Sequence, residues 1–206
     1  MSAARFIVFE GGEGCGKSTQ AALLAERLAA VLTRQPGGTA LGRSLRALLL
    51  AERDDSAGGA PMDPRAEALL MAADRAQHEA EVIGPALAAG RHVVCDRYIG
   101  SSVAYQGHGR GLAPDEVAHI SEWAVGGRPA DLVVLLEVDP DEAARRRGAP
   151  SDRIESAGAE FHRRVAAGFR AQADAAPDRW VVVDGSGPVE TVAARVDAAV
   201  SDRLGL

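Results

Sequence analysis

The feature that most constrains the fold is a glycine-rich loop near the start of the chain, Gly11-Gly-Glu-Gly-Cys-Gly-Lys-Ser18. Its spacing is that of the phosphate-binding loop pattern G-x-x-x-x-G-K-[ST]. Four apolar residues, Phe6 to Phe9, precede the loop as a short strand, and a helical stretch rich in Ala and Leu follows from Thr19 to Ala30. Because this strand–loop–helix context is the one the pattern requires, we predict a nucleotide-phosphate site rather than a chance turn before a helix.

Each part of the loop has a role in holding phosphate oxygens. Glycines let backbone N–H groups turn inward around the oxygens, and the helix N-terminus adds its partial positive charge. Lys17 would reach the β and γ phosphates, and the Ser18 hydroxyl would ligate Mg²⁺. We therefore expect ATP and Mg²⁺ as ligands of a continuous segment: Gly11, Gly12, Glu13, Gly14, Cys15, Gly16, Lys17, Ser18 and Thr19.

The composition narrows the classes of protein to consider. A chain of 206 residues with 47% hydrophobic and 25% charged residues suits one globular domain, residues 1–206. The longest apolar run, Leu132 to Leu136, is too short to span a bilayer, and we see no signal peptide. Two cysteines without a disulfide framework are typical of a cytoplasmic protein. A net charge of −6 argues against binding nucleic acid through bulk electrostatics.

Short apolar runs alternate with helical patterns along the whole chain. Asp63-Pro64, Asp139-Pro140 and Gly187-Pro188 are typical helix starts, and Gly90 is typical of a helix end. This alternation predicts an α/β fold of the P-loop NTPase type, a three-layer sandwich with a five-stranded parallel sheet between helices. The predicted strands are Phe6–Phe9, Val31–Thr33, His92–Cys95, Leu132–Val138 and Trp180–Val183.

Polar residues follow most of these strands directly. In parallel α/β sheets ligands bind outside the carboxyl ends of the strands, so we expect these groups to converge at one edge. They are Glu10 with the glycine-rich loop, Arg34 to Thr39, Asp96-Arg97-Tyr98 and Asp184-Gly185-Ser186. Asp139, after the fourth strand, is better explained as a helix cap.

The connection between the first helix and the second strand is unusually short. Ala30-Val31 leads from one to the other without Gly, Asn or Pro. Three interpretations remain open: the helix is short, the strand is nearly vestigial, or a few loop residues are missing.

The residues around Asp96 narrow the chemistry. A second Mg²⁺-associated carboxylate is expected after an apolar strand in P-loop enzymes, and the neighbouring Arg97 favours this role over a surface or capping Asp. The chain has no Asn-Lys-x-Asp guanine loop, and its length and charge do not suit a motor or helicase.

The glycine-rich loop lacks an arginine, so the guanidinium that neutralises the transferring phosphoryl group must come from elsewhere. Arg145 to Arg153 is the candidate region, with Arg153 preferred, although arginines also suit a solvated helix C-terminus.

Five ordered motifs, spread over nearly the whole chain, resemble those of bacterial thymidylate kinases. They are Phe9-Glu-Gly-Gly-Glu-Gly-Cys-Gly-Lys-Ser-Thr-Gln20, Thr33-Arg-Gln-Pro-Gly-Gly-Thr39, Asp96-Arg-Tyr98, Ala104-Tyr-Gln-Gly-His-Gly-Arg-Gly111 and Asp152-Arg-Ile-Glu155. The glycine-rich loop alone is common to many NTPases, whereas the combination is highly specific.

The resemblance implies transfer of the ATP γ-phosphoryl group to dTMP in a cytosolic homodimer. It implies that Glu13 contacts the dTMP sugar, that Arg34 and Arg97 bind its phosphate, and that residues 185–189 touch adenine. A mobile lid would cover about residues 145–156. The other implied acceptor-site residues are Met71, Arg75, Ser102, Tyr105 and Gln106, with Arg75 bonding the thymine. The implied catalytic residues are Lys17, Asp96, Arg97 and Arg153, with Ser18 and Asp96 at the metal.

Two positions depart from the family pattern. Gln35 stands where these enzymes typically carry Glu, and Met71 stands where an aromatic ring usually stacks on thymine. Both affect fine specificity rather than the reaction class. The alternatives are a kinase for dUMP or a deoxynucleoside, and a non-enzymatic module gated by ATP. The arginines of the lid argue against the module, because a switch needs no second phosphate site.

Overall fold

The computed structural model describes residues 3–51, 61–147 and 152–206, without the side chain of Arg147. The described residues form a sheet of five parallel strands in the order β2-β3-β1-β4-β5. The five predicted strands are confirmed, each within one residue or so of its expected bounds. They are β1 Phe6–Glu10, β2 Val31–Arg34, β3 Val93–Asp96, β4 Leu132–Glu137 and β5 Trp180–Asp184.

Helices fill the connections between the strands. The described α-helices are α1 Lys17–Arg27, α2 Ala40–Leu50, α3 Pro64–His78, α4 Gly84–Ala88, α5 Ile99–Ser102, α6 Pro114–Ala124, α7 Pro140–Arg147, α8 Ala159–Ala175 and α9 Val189–Leu204. Two π-helical stretches, Glu79–Ile83 and Val103–Gly109, continue α3 and α5, and a 3₁₀ turn covers Glu155–Ala157. No helix in the described ranges is both long and apolar enough to cross a membrane.

Helices cover both faces of the sheet, so alternate residues of one strand enter different layers of the core. In β1, Ile7 and Phe9 pack with residues of α1 and α9, while Phe6 and Val8 pack with Ile83 and its neighbours. A parallel sheet buried on both faces explains why the strands are continuous apolar runs. Full burial of each large side chain stabilises the fold by about 1.5–3 kcal/mol. The predicted three-layer α/β sandwich is confirmed.

The short connection between α1 and β2 is a tight turn. Helix α1 ends at Arg27, three residues earlier than the predicted helix, and the Ala30 N–H donates to the Ala25 carbonyl at 2.9 Å. Ala29 takes a left-handed φ of 48° to close the turn. Of the three interpretations, the short helix is the correct one. A non-glycine residue in this conformation costs about 1 kcal/mol.

Side-chain caps begin two of the predicted helices. The Asp63 carboxylate accepts the Arg65 N–H at 2.8 Å, and Asp139 accepts the N–H groups of Asp141 and Glu142 at 3.0 and 3.2 Å. These interactions satisfy amide groups that lack partners within the first helical turn. The third predicted start is shifted by one residue, because Pro188 precedes α9 instead of occupying its first position.

Candidate phosphoryl-transfer site

The carboxyl ends of the central strands meet at one cavity, as the sequence predicts. The register pairs both Phe9 of β1 and Arg34 of β2 with Asp96 of β3, which aligns the three strand ends. The cavity encloses about 160 Å³. It brings together most of the predicted site residues: Glu13, Lys17, Ser18, Arg34, Met71, Arg75, Asp96, Arg97, Ser102, Tyr105 and Gln106.

The glycine-rich loop follows β1 and packs closely against α7. Gly14 has a φ of 78°, and a Cβ at this position would lie 2.3 Å from the Ala143 carbonyl oxygen. The position therefore excludes any side chain on two counts, its conformation and its space. Gly16 ends the loop, and α1 begins at Lys17, whose Nζ lies 3.1 Å from the Gly12 carbonyl oxygen. Lys17 is thus held inside the loop, where a bound phosphate would sit.

A coupled cluster of Glu13, Arg97 and Tyr105 stands beside the loop. Arg97 pairs with the Glu13 carboxylate, and Tyr105 OH donates to Glu13 Oε1 at 2.9 Å while accepting from Arg97 Nη2 at 3.1 Å. Burial alone would raise the pKa of Glu13, but the charges of Arg97 and Lys17 outweigh it and lower the pKa to about 2. Burial opposes the charged form of Arg97, whereas Glu13 raises its pKa. Both groups are therefore ionised at neutral pH.

The backbone of Arg97 is strained, and a buried carboxylate supports it. Arg97 has a φ of 73°, which costs of the order of 1–3 kcal/mol for a non-glycine residue. Its Nη1 donates to the Gly11 carbonyl and to Ser101 Oγ, both at 3.0 Å. Glu10 accepts from the N–H groups of Tyr98 and Ser101 at 3.0 and 2.9 Å, and from Ser101 Oγ at 2.5 Å. The sequence placed Glu10 at this edge, and the structure adds its function of holding the segment that orients Arg97.

The two predicted metal ligands lie together. Ser18 Oγ donates a short hydrogen bond to Asp96 Oδ2. The other carboxylate oxygen, Oδ1, is buried and has no hydrogen-bond partner within the described ranges. A hydroxyl beside a carboxylate with an unsatisfied oxygen is a suitable ligand set for a hard divalent cation.

Arg46, on α2, is a site residue that sequence reasoning missed. It lines the cavity, and its Nη1 donates to the Pro36 carbonyl at 3.1 Å. Burial, and then the positive charges of Arg34 and Arg97, lower the pKa of Arg46. Arg34, Arg46 and Arg97 line one cavity, and a set of guanidinium groups is suited to binding a phosphate dianion. No motif marks Arg46, because it lies in an ordinary amphipathic helix.

Arg75 is fixed by four neighbours at the opposite wall of the cavity. Its Nε donates to Gln35 Oε1 at 3.0 Å, and Nη1 donates to Ser121 Oγ at 3.2 Å. Its Nη2 donates to the Tyr98 carbonyl at 3.1 Å and to Ser102 Oγ at 3.0 Å. Burial lowers the pKa of Arg75, although nearby acidic groups offset part of the effect. Two further predicted acceptor-site residues, Met71 and Gln106, line the same cavity.

Arg153 is turned toward α2 and α3. Its Nε and Nη2 donate to the Leu49 carbonyl at 3.1 and 3.0 Å, and Nη2 pairs with Glu67 Oε2 at 2.7 Å. The buried Glu67 also accepts from Gln106 Nε2 at 2.8 Å. The neighbours of Arg153, namely Asp152, Ile154 and Glu155, line the cavity instead.

The remaining predicted lid residues lie at the end of α7, in the 3₁₀ turn at Ser156, or outside the described ranges. Arg146 donates to the Gly185 carbonyl at 3.0 Å and pairs with Glu142. Residues 148–151 of the predicted lid lie outside the described ranges. The expected adenine segment, 185–189, adjoins the glycine-rich loop: a Cβ at Gly185 would lie 3.2 Å from the Cys15 carbonyl oxygen, and Gln20 Nε2 donates to the Val189 carbonyl at 3.0 Å.

A parallel sheet with a phosphate-binding loop after its first strand, facing a second pocket of arginines, defines a P-loop phosphotransferase with two anionic substrates. The family model for thymidylate kinase matches residues 9–196. The chain belongs to the thymidylate kinase family, and the resemblance drawn from its motifs is confirmed.

Individual relatives agree with the family match. A thymidylate kinase of Synechococcus sp. (strain JA-3-3Ab) is 49% identical over 204 residues, which cover 97% of this chain and 96% of the relative. One from Leifsonia xyli subsp. xyli is 49% identical, with coverage of 97% and 95%. The crystal structure of thymidylate kinase from Ehrlichia chaffeensis superposes with a TM-score of 0.78 at 31% identity, and covers 97% of this chain and 100% of that one.

Proposed function

We propose that this protein transfers the γ-phosphoryl group of ATP to dTMP, giving dTDP. The observation that carries the proposal is the pairing of a phosphate-binding loop with the pocket of Arg34, Arg46 and Arg97 in one cavity. A second pocket of positive charge is what a nucleotide acceptor requires, and it favours an enzyme over a module gated by ATP alone.

The reaction needs alignment and charge neutralisation more than it needs a base. The acceptor is already an ionised phosphate, so catalysis depends on holding the two phosphates in line and meeting the charge that develops between them. Lys17 serves the donor, and Arg34, Arg46 and Arg97 serve the acceptor. Glu13 remains ionised because its pKa is about 2. It orients Arg97 and presents an acceptor for a sugar hydroxyl.

Ser18 and Asp96 would hold Mg²⁺ at the donor phosphates. The unsatisfied Asp96 Oδ1 and the adjacent Ser18 hydroxyl support this assignment. The cation would contribute charge neutralisation on the phosphate oxygens.

The nucleoside would occupy the wall formed by Met71, Arg75, Ser102, Tyr105 and Gln106. Tyr105 OH is held by Glu13 and Arg97, so it would crowd a ribose 2′-OH. A thymine methyl group in an apolar pocket contributes about 1–3 kcal/mol, so dUMP should be a poorer but detectable acceptor.

A panel of acceptors tests the substrate assignment. We expect kcat/KM to fall in the order dTMP, dUMP, UMP in a coupled assay of ADP release. UMP equal to dTMP would overturn the pocket assignment, and dUMP above dTMP would favour the alternative kinase. Phosphorylation of thymidine rather than dTMP would favour a deoxynucleoside kinase. ATP binding with no acceptor phosphorylated would favour the gated module.

We propose that the chain acts as one kinase domain, residues 1–206, with a lid at about 145–156 that supplies a further guanidinium group. Arg153 is the proposed catalytic arginine of this lid. Since it is bonded to Leu49 and Glu67, lid closure must release it from both. Exclusion of water by a closed lid would strengthen every charge interaction in the cavity.

We further propose a homodimer that forms through α2, α3 and α6. These helices pack side by side and expose large apolar residues, among them Leu48, Leu69 and Trp123, of which Trp123 is 79% exposed. Leu41 and Leu48, seven residues apart, lie on one face of α2. Light scattering should show a dimer for the native chain and a monomer for Trp123→Glu. A monomeric native chain would contradict the proposal.

We also infer a cytoplasmic protein that does not bind nucleic acid. Both cysteines, Cys15 and Cys95, are free and buried, which suits a reducing compartment. The net charge of −6 disfavours attraction to a polyanion.

A further inference from the structure

A chain of buried hydrogen bonds leads from Arg75 back to β2. Arg75 Nε donates to Gln35 Oε1 at 3.0 Å, and Gln35 Nε2 lies 2.8 Å from His78 Nδ1. His78 Nε2 in turn lies 2.6 Å from Thr33 Oγ1. Arg75, Gln35 and His78 are 2%, 4% and 0% exposed, so solvent does not replace any of these partners.

The chemistry of Arg75 sets the direction of every bond in this chain. A guanidinium group only donates, so the oxygen of the Gln35 amide must face Arg75 and the amino group must face His78. His78 Nδ1 must then accept with its lone pair. The ring proton consequently lies on Nε2 and is donated to Thr33 Oγ1.

We propose that His78 is a positioning residue for the acceptor-base subsite: as the neutral Nε2–H tautomer it fixes the Gln35 amide, whose oxygen then holds the Arg75 guanidinium. The inference rests on the proposed role of Arg75 toward the base. It gives a function to Gln35, which stands where the family typically carries Glu. A glutamate at this position would hold Arg75 through charge, whereas an amide needs a neighbour that selects one of its two orientations.

The His78 ring packs directly against Gly38. A Cβ at Gly38 would lie 2.4 Å from His78 Nε2, so the ring needs a glycine at that position. Burial, and then the charge of Arg75, lower the pKa of His78 to about 4. Other ionisable groups on this and adjoining elements have partners of their own: Asp74 at the Gly37 N–H, Arg46 at the Pro36 carbonyl, Glu79 at Arg128, and Cys95 at the Arg97 carbonyl.

Protonation of His78 would disrupt this series of hydrogen bonds. A proton on Nδ1 would face the amino group of Gln35, which places two donors against each other. Rotation of the amide would relieve that contact and set the amino group against Arg75 Nε, again donor to donor. Once the amide has rotated, Arg75 has lost its Gln35 partner, so binding of dTMP should weaken while binding of ATP stays unchanged.

The ring tautomer can be measured directly on the native protein. At pH 7, the ¹⁵N shifts of His78 should show a protonated Nε2 and an unprotonated Nδ1. In Gln35→Glu the carboxylate accepts from both sides, so the proton should move to Nδ1. A protonated Nδ1 in the native protein would overturn the inference without any reference to activity.

Calorimetric titration with dTMP tests the consequence for binding. Gln35→Met keeps the size of the side chain and removes both hydrogen bonds, so we expect dTMP to bind about tenfold more weakly at pH 7. The ratio of the two dissociation constants should begin to fall as the pH approaches 4, where about half of the native protein is protonated at His78 and has lost the same bond. Because ionisation of the dTMP phosphate affects binding to both proteins equally, its effect cancels in this ratio. His119→Gln, at an exposed histidine of α6, should behave as the native protein.

The outcomes separate this inference from the proposed function. If Arg75→Met weakens dTMP binding and Gln35→Met does not, the positioning role is wrong. If neither variant weakens it, the proposed role of Arg75 fails, and this inference fails with it. Unchanged ¹⁵N–¹H spectra away from the cavity would show that each variant remains folded.

Discussion

The donor and acceptor halves of the cavity are built in different ways. The donor half is one continuous segment, residues 11–19, in which backbone conformation and a few glycines do most of the positioning. The acceptor half takes side chains from many separate elements, and its members are Arg34, Arg46, Met71, Arg75, Arg97, Ser102, Tyr105 and Gln106. In the proposed function, a phosphate group would be bound by backbone geometry on one side and by a network of side chains on the other.

Because the two halves are built differently, we expect them to be sensitive to different kinds of substitution. The donor half is sensitive to any added atom, since a Cβ at Gly14 would lie 2.3 Å from the Ala143 carbonyl oxygen. The acceptor half is sensitive to the orientation and charge of its polar groups, since Arg75 depends on Gln35 and Arg97 depends on Glu13.

The largest effect is expected at the lid. Arg153→Ala should lower kcat on the order of 10³-fold or more, as loss of an arginine at the transferring phosphoryl group does in related chemistry, and leave dTMP affinity within a few-fold. Glu67→Gln separates this role from simple anchoring, because it weakens the partner that holds Arg153 in place. Equal losses of kcat in both variants would indicate that Arg153 acts only as an anchor for its segment, through its pair with Glu67. If Arg153→Ala keeps the native kcat, the catalytic role would belong to Arg145, Arg146 or Arg147 instead.

Loss of the loop lysine should be the next largest effect. Lys17→Ala removes the one full positive charge within the donor half, and we expect kcat to fall by about 10²–10³-fold. Direct titration should show dTMP affinity within a few-fold of the native value, because the acceptor pocket keeps its arginines. Turnover close to the native value would contradict the assignment of the donor half.

His78, which supports the acceptor half through Gln35, and Glu13, in the donor segment, should lose their contributions to the stability of the fold in different ranges of pH. His78 has a pKa of about 4 when folded and 6.5 in the reference state, so the unfolded chain binds more protons between these values. Its contribution is complete above pH 6.5 and decreases by about 3 kcal/mol as the pH falls toward 4. Glu13, with a folded pKa of about 2 against 4.5, loses its contribution only between those lower values.

Urea denaturation across this range measures the difference. His78→Gln should be less stable than the native protein at pH 7, and the gap should narrow as the pH falls toward 4. A constant gap between the two proteins over that range would show that His78 does not titrate as expected.

The smallest effect is expected outside both halves. Ala29, at φ 48° in the turn between α1 and β2, is exposed and occupies a position where glycine is favoured. Ala29→Gly should stabilise the fold by about 1 kcal/mol, seen as a higher urea midpoint, with unchanged kcat and KM. A destabilised variant would mean that the flexibility gained by the unfolded chain outweighs the strain relieved.

Local patterns were sufficient for the donor half and for the sheet. The glycine spacing, Lys17 and Ser18 are adjacent in the chain, and each strand is a short apolar run, so neighbouring residues carry the whole signal. The same holds for the caps at Asp63 and Asp139, whose bonds span two or three residues. The end of α1 was predicted three residues late, because its turn uses Ala29 where a glycine is normally the signal.

Tertiary structure decided which side chains meet. Arg46 of α2 joins Arg34 and Arg97 at one cavity, where it donates to the Pro36 carbonyl just after β2, and Arg153 bonds Glu67 across 86 residues of sequence. Gln35 acquires its function from Arg75 and His78, which lie about 40 residues away on α3. These contacts depend on burial and on the direction of individual hydrogen bonds, and neither property is encoded in the residues adjacent to each position.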